Sequence, residues 1–336
     1  MRLRPLILFL SLVPASLALP ASAQQETPGA APAAPAEAET AAPTGTVAPD
    51  ADAVRRSRFS ERPSDEAYGA FQRGYYITAL NLATPLALQG DPAAQTLIGE
   101  IYSRGLGVRR DLPTAIEWYE KAAEQKVPEA LFQLAMILYD GGAEFGDRAR
   151  AAQLIEAAAE AGHSLAQFNF AQMLVERDTT PQGTARAVAW YEKAARAGLA
   201  DAQYAMAEVA RQGAAGRPVD LAEARRWLSL AAAQNHDTAQ IDLGTMLVEG
   251  EGGPRDEKAG FAWLMRAAAA GNAAAQNRVA KLYRAGIGVE PDRVTAAAWY
   301  LRARRAGLVD PVMEDQLDGL TEEEMDEAGK RAATLG

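Results

Sequence analysis

The sequence predicts an all-α fold: a right-handed α-solenoid of stacked helix–turn–helix repeats. Three ladders of residues carry this prediction. All five tryptophans fall on a period of 36 residues with one step of 37: Trp118, Trp190, Trp227, Trp263 and Trp299, with Leu154 in the vacant slot. A second ladder runs Ala94, Ala130, Ala166, Ala202, Ala239 and Ala275. A glutamine follows in every case but one: Gln95, Gln167, Gln203, Gln240 and Gln276, with Leu131 as the exception. A third ladder of small residues runs Gly99, Ala135, Ala171, Ala207, Gly244 and Ala280. Ladders in phase over such a span mark a repeat array, in which each unit buries its apolar face only by stacking on its neighbours.

The N-terminal residues stand apart. Arg2 and Arg4 precede an apolar run from Leu6 to Leu19, and Ala21-Ser22-Ala23 supplies a small-x-small cleavage pattern. This reads as a Sec-type signal peptide, 1–23, cut after Ala23. The run is shorter than the roughly 20 residues that span a bilayer, and Pro14 interrupts it; an uncleaved anchor is the competing reading. Residues 24–60 are rich in Ala, Pro, Glu and Thr. With few large apolar side chains they cannot offset the entropy of ordering, which predicts a disordered linker. The solenoid is expected over 61–310, as one degenerate repeat and six full ones, with a single capping helix over 311–336.

Within a repeat, the first helix is expected from about Ala93 to Arg104, where residues 94, 98, 101 and 102 give a helical period. A turn follows, such as Gly105-Leu106-Gly107-Val108. Asp111, Asp147, Asp220, Asp256 and Asp292 then precede the second helix and suit an N-cap, where a carboxylate accepts backbone N–H groups that have no helical partner. Gly183 holds that slot in the third full repeat, so a weaker cap is expected there. Gly162, Gly198, Gly271 and Gly307 mark left-handed stops, with Lys126 and Asn235 in the same place elsewhere. Near the C terminus, Thr321 and Glu324 have capping-box spacing.

These residues resemble the Sel-one-like repeat family, a relative of tetratricopeptide repeats. The motifs that carry the resemblance are Ala-Gln-x-x-Leu-Gly over 239–244, the run from Tyr102 to Asp111, and Trp118-Tyr119-Glu-Lys-Ala-Ala123; the likeness extends over roughly 64–310. It implies a binding scaffold of the adaptor kind. Exported bacterial members are implicated in envelope regulation, exopolysaccharide control and host interaction. Some disulfide-linked relatives are described as penicillin-binding or β-lactamase-like. This chain has no cysteine and so lacks their staples.

The absence of cysteine also excludes a thiol nucleophile, a thiolate metal site and a lipidated N terminus. Net charge is −10, which disfavours nucleic acid and anionic membrane surfaces. His163 and His236 share one repeat slot two repeats apart, roughly 20 Å at about 8–10 Å per helix layer, too far to share a metal. The Gly-x-Gly turns follow helices and lack the strand and lysine of a phosphate loop. No catalytic constellation, cofactor site or metal site is expected.

A partner surface is expected instead. On a helical wheel, slots 96, 100 and 103 point away from the core. Slot 96 places Phe132, Phe168 and Tyr204 in consecutive repeats, and Met136, Tyr139 and Val175 extend the stripe beside Gln172, Glu208 and Arg211. One reading makes this a groove for a helix or extended peptide; the other packs the rings against the next helix. If the first holds, replacing Phe168 and Tyr204 by Ala leaves folding largely intact. Asn277, Lys281 and Arg284 form a basic, amide-bearing patch suited to a carboxylate. The expectation is a non-enzymatic protein- or peptide-binding scaffold, periplasmic or secreted, acting as a regulator or assembly factor on an envelope protein or signalling system. The alternative is a cell-wall ligand binder or β-lactamase-like enzyme.

Overall fold

The computed structural model describes residues 63–335, and every regular element among them is an α-helix. The expected signal peptide and nearly all of the linker region lie outside the described residues. The helices follow one another in pairs: α1 (Pro63–Gln72) and α2 (Tyr76–Leu88), then α3 (Pro92–Arg104) and α4 (Leu112–Glu124). Next come α5 (Pro128–Asp140), the single turn α6 (Gly142–Phe145) and α7 (Arg148–Glu160). They are followed by α8 (Ser164–Arg177) with α9 (Pro181–Arg196), and α10 (Ala200–Gln212) with α11 (Leu221–Ala233). Then α12 (Asp237–Glu249) pairs with α13 (Glu257–Ala269), and α14 (Ala273–Ala285) with α15 (Arg293–Arg305). The short helix α16 (Pro311–Asp318) and the full-length α17 (Glu322–Thr334) close the described chain. The helices form two compact units that divide between Leu154 and Ile155, within α7.

In the first unit, Ala79, Ala83, Ile98 and Ile101 form one core cluster, and Tyr119, Leu134 and Leu138 another. In the second, Leu228, Leu243 and Met246 pack beneath α10 to α13, and Val279, Trp299, Tyr300 and Met313 beneath α14 to α17. The small-residue ladder makes the close packing possible. A Cβ on Gly99 would stand 2.8 Å from the Tyr119 ring, and one on Gly244 2.7 Å from Leu264. The glutamine ladder is structural too. Gln95 Nε2 donates to Ala87 O at 3.1 Å, and Gln167, Gln203, Gln240 and Gln276 make the same bond to Ala159, Ala195, Ala232 and Ala268 at 3.2 Å. Each glutamine thereby adds a second donor to a carbonyl at the end of the preceding helix that already accepts the N–H of the stop residue.

The expected aspartate caps are present: Asp111, Asp220, Asp256 and Asp292 each accept an N–H from the first turn of α4, α11, α13 and α15. Asp147 does the same for Arg150 N at 2.9 Å. Lys126 and Asn235 take φ of 59° and 66° at their stops, the left-handed values otherwise left to glycine. The third full repeat corrects the expectation of a weak cap. Helix α9 starts upstream at Pro181 and reaches 16 residues; Thr180 caps it by accepting Gly183 N at 3.1 Å, and Asp178 braces Thr180. Gly183 lies inside this helix, where a Cβ would come within 2.3 Å of Asp178 O.

The C-terminal expectation is corrected as well. The described part of 311–336 does not make one helix but holds two, Pro311–Asp318 and Glu322–Thr334. Thr321 and Glu324 restart the chain through a reciprocal capping box. Helix α17 then lays buried Ala328 and Ala332 into the core, and Arg331 reaches Asp292 at 2.9 Å and Thr295 at 2.7 Å.

Candidate partner-binding surface

In the first unit the expected stripe lies on α5. Phe132 is fully buried and Met136 is buried; Tyr139 is partly covered, with the Arg148 guanidinium 5.3 Å from its ring centre. In the second unit Phe168 is also fully buried, its ring 5.5 Å from that of Tyr191. The face expected to be wet is therefore interior at both phenylalanines. An isolated-helix wheel misses what packs on the slot from outside its own helix: Phe168 meets Tyr191 of α9. Tyr204 shows this directly. His236, which precedes α12, stacks on the Tyr204 ring at 4.7 Å and 19°. The Tyr204 hydroxyl donates to Asp242 Oδ2 at 3.3 Å, and burial together with the Asp242 carboxylate pushes its pKa up.

The polar rim is mostly engaged. Arg211 pairs with Glu208 at 3.0 Å, and Asp242 lies 3.9 Å away. Val175 is partly exposed. Gln172 differs: it is 7% exposed, and neither atom of its carboxamide has a partner. Asn169, one turn before it on α8, is fully buried and equally unpartnered. Asn169 did not stand out in the sequence, although its slot holds Leu97, Gln133, Ala205, Asp242 and Arg278 elsewhere.

The basic patch needs a different correction. Lys281 is ion-paired with Asp310, and Asn277 Nδ2 donates to the same carboxylate at 2.8 Å. Only Arg284 of the three stands exposed. The carboxylate that this patch was expected to draw from a ligand is already supplied from within the chain. Asp310 also caps α16 through Val312 N at 3.1 Å. The Lys281 ammonium and the Asn277 amide hold its carboxyl below the usual aspartate range.

The two histidines share one structural task. His163 Nδ1 accepts Ala166 N at 3.1 Å, and His236 Nδ1 accepts Ala239 N at 3.2 Å; each is a helix N-cap. His236 Nε2 lies 3.5 Å from Asp201 Oδ1, which fixes its proton on that nitrogen when the ring is neutral. No helix among the described residues is long and apolar enough to cross a membrane.

Six helix pairs in a common register, five of them carrying the glutamine tie and all six a helix stop, meet a single family profile. The Sel1 repeat profile matches residues 92–127, 128–163, 164–199, 200–236, 238–272 and 273–308. The chain belongs to the Sel1 repeat family. Among solved structures, the Sel1 repeat protein from Oxalobacter formigenes is 26% identical, with a TM-score of 0.59 over 73% of this chain and 97% of that one. A protective antigen present in uropathogenic Escherichia coli strains, which displays the same fold, is also 26% identical, with a TM-score of 0.50 over 77% of this chain. The match spans 64% of that antigen's length. No curated protein matches the sequence. Sel1 repeats generally serve as protein-interaction scaffolds and are typically non-enzymatic.

Proposed function

We propose that this Sel1 repeat protein is an exported, non-enzymatic scaffold. It captures a protein or peptide in the bacterial cell envelope and acts there as a regulator or assembly factor. One observation carries the reading: the side chains singled out for chemistry are committed to holding helices together. Both histidines are N-caps, the Asp ladder caps the second helices, and the basic patch closes on Asp310. The leader pattern over 1–23 supports export, and the acidic chain disfavours nucleic acid.

Two measurements test it. Alkaline phosphatase fused after residue 60 should be active in cells and lose activity when Leu6–Leu19 is deleted; activity confined to the cytoplasm would end the export claim. Labelled penicillin and nitrocefin should neither attach to the mature protein nor be turned over. Covalent labelling or turnover would replace the scaffold by the enzyme or cell-wall ligand reading.

A further inference from the structure

The net charge of the whole chain hides an uneven distribution. Residues 53–110 carry eight arginines against five acidic side chains, whereas 111–336 carry 24 basic and 34 acidic ones. Exposed apolar groups gather in the same stretch. Four of the eight large apolar side chains exposed among the described residues lie there: Tyr68, Tyr75, Ile77 and Leu88.

Both features meet on α2, in the first unit. No residue from Gly74 to Gly90 is charged, and α2 is alone among the described helices in that respect. Ala79, Ala83 and Ala87 bury one side of it. On its open side Ile77, Asn81, Pro85 and Leu88 fall within about 80° of one another on a helical wheel, and all four are exposed. A helix without a charged face is ordinarily covered all round.

Arginines stand at both ends of this open face. At its start the Arg73 guanidinium lies 6.0 Å from the Tyr75 ring centre. The turn after α3 abuts the same end: a Cβ on Gly107 would meet Tyr76 Cβ at 3.2 Å and Ile77 at 3.4 Å, and exposed Arg109 and Arg110 follow in that turn. At the other end, the short turn between α1 and α2 folds Pro63 back towards Leu88. Arg55, Arg56, Arg58 and Arg62 precede Pro63 by eight residues or fewer, so chain length alone keeps them within roughly 29 Å of it. Exposed Asp65 and Glu66 in the first turn of α1 oppose this charge and are outnumbered.

We propose that the open face of α2, with its flanking arginines, is a docking surface for an anionic phospholipid bilayer. The scaffold reading says what the array captures; this surface says where the array is held. Arginines attract phosphate headgroups, tyrosines settle at headgroup level, and the face between them carries no charge to desolvate. With 13 residues α2 is too short to span and would lie along the surface. A small apolar face or a basic run alone attaches weakly, and stable attachment takes two signals together. An acidic protein would satisfy the arginines and leave the apolar face bare. A second copy would cover the face and leave the arginines unmatched.

The test floats the full mature chain with vesicles of phosphatidylglycerol and phosphatidylethanolamine, beside vesicles of phosphatidylcholine alone. The protein should rise with the first and not with the second. About 1 M NaCl should release it, since the Debye length there falls to about 3 Å. Replacing Arg55, Arg56 and Arg58 together by Ser should weaken binding at least about twentyfold, from about fivefold for each charge at a membrane. Leu88→Glu should weaken it about tenfold with an unchanged melting temperature, because Leu88 is 73% exposed; Ile77→Glu is the second variant, at the other end of the face. No flotation with anionic vesicles overturns the proposal. So does binding that both glutamate variants leave intact, since the arginines would then act without the face. A chain that ignores vesicles but forms a Leu88-dependent dimer by light scattering assigns the face to a second copy and overturns it too. Capture of an envelope protein without vesicle binding overturns the docking surface and leaves the scaffold reading standing. Vesicle binding without any captured protein supports the surface and ends the scaffold reading.

Discussion

Replacing Asp310 by Ala tests whether the C-terminal end is held by one carboxylate. Three interactions end at this group. It caps α16 through Val312 N at 3.1 Å, and loss of an aspartate cap costs about 1 kcal/mol. It accepts Asn277 Nδ2 at 2.8 Å; Asn277 is 8% exposed and its Oδ1 already lacks a partner, so orphaning the amide adds about 1–3 kcal/mol. It pairs with Lys281, whose side chain is 42% exposed, which limits that contribution to about 0–1 kcal/mol. The expected loss is about 2–5 kcal/mol. Urea unfolding followed by tryptophan fluorescence reads it, because Trp299 lies in the adjoining core. The pH dependence gives a second check. The Asp310 carboxyl is depressed in the folded state, so its contribution is fully present above the ordinary aspartate value of about 3.9 and is lost as pH falls through the lower folded value. The gap between wild type and Asp310→Asn should therefore be constant from pH 7 down to about 5 and close on further acidification. A loss below about 0.5 kcal/mol at pH 7, or a gap unchanged at pH 2, would refute the assignment.

Three further outcomes follow from the packing. Phe168→Ala should destabilise by about 3–5 kcal/mol, since the ring is fully buried against Tyr191; a melting temperature within two degrees of wild type would put the ring back in a groove. Gly99→Ala drives a methyl to 2.8 Å from the Tyr119 ring and should cost about 1–3 kcal/mol by chemical denaturation, whereas Gly329, with nothing within 4 Å of an added Cβ, should accept Ala at little cost. His236→Ala should lose about 1 kcal/mol and His236→Asn should keep most of it, because Asn272 already caps α14 in the same slot; equal losses in the two variants would show that the stack on Tyr204 matters more than the cap.

The repeat, its helix stops and most of its caps were legible because each is a local, recurring demand on the chain. Asp220 must accept an N–H three residues ahead, and Asn235 must turn left-handed, whatever the neighbouring repeats do. Of the two readings of the stripe, packing against a neighbour could not be told from a groove within one helix, because the outcome depends on a residue far along the chain. Slot 96 points away from the core of its own helix pair, but the imidazole of His236, 32 residues downstream of Tyr204, covers it. The basic patch failed for the same reason: Asp310 is 29 residues beyond Lys281, and no wheel drawn on α14 shows it. Asn169 carries no periodic signal at all, because its slot tolerates apolar, acidic and basic residues alike.

That tolerance sharpens how function is to be sought in a repeat array. A residue that recurs in register states what stacking requires, so the glutamine ties and capping aspartates are explained once their bonds are seen. Function is better marked by departures from register that the packing does not compensate. The third full repeat departs twice: its cap moves to Thr180, and α9 grows to 16 residues. The first of these departures is compensated, since Thr180 and Asp178 satisfy the new helix start. Gln167 Oε1, Asn169 and Gln172 of this repeat have no partner among the described residues, but neither do Asn277 Oδ1 and Gln316 Oε1 beyond it, so such groups say where to look and do not by themselves make a site.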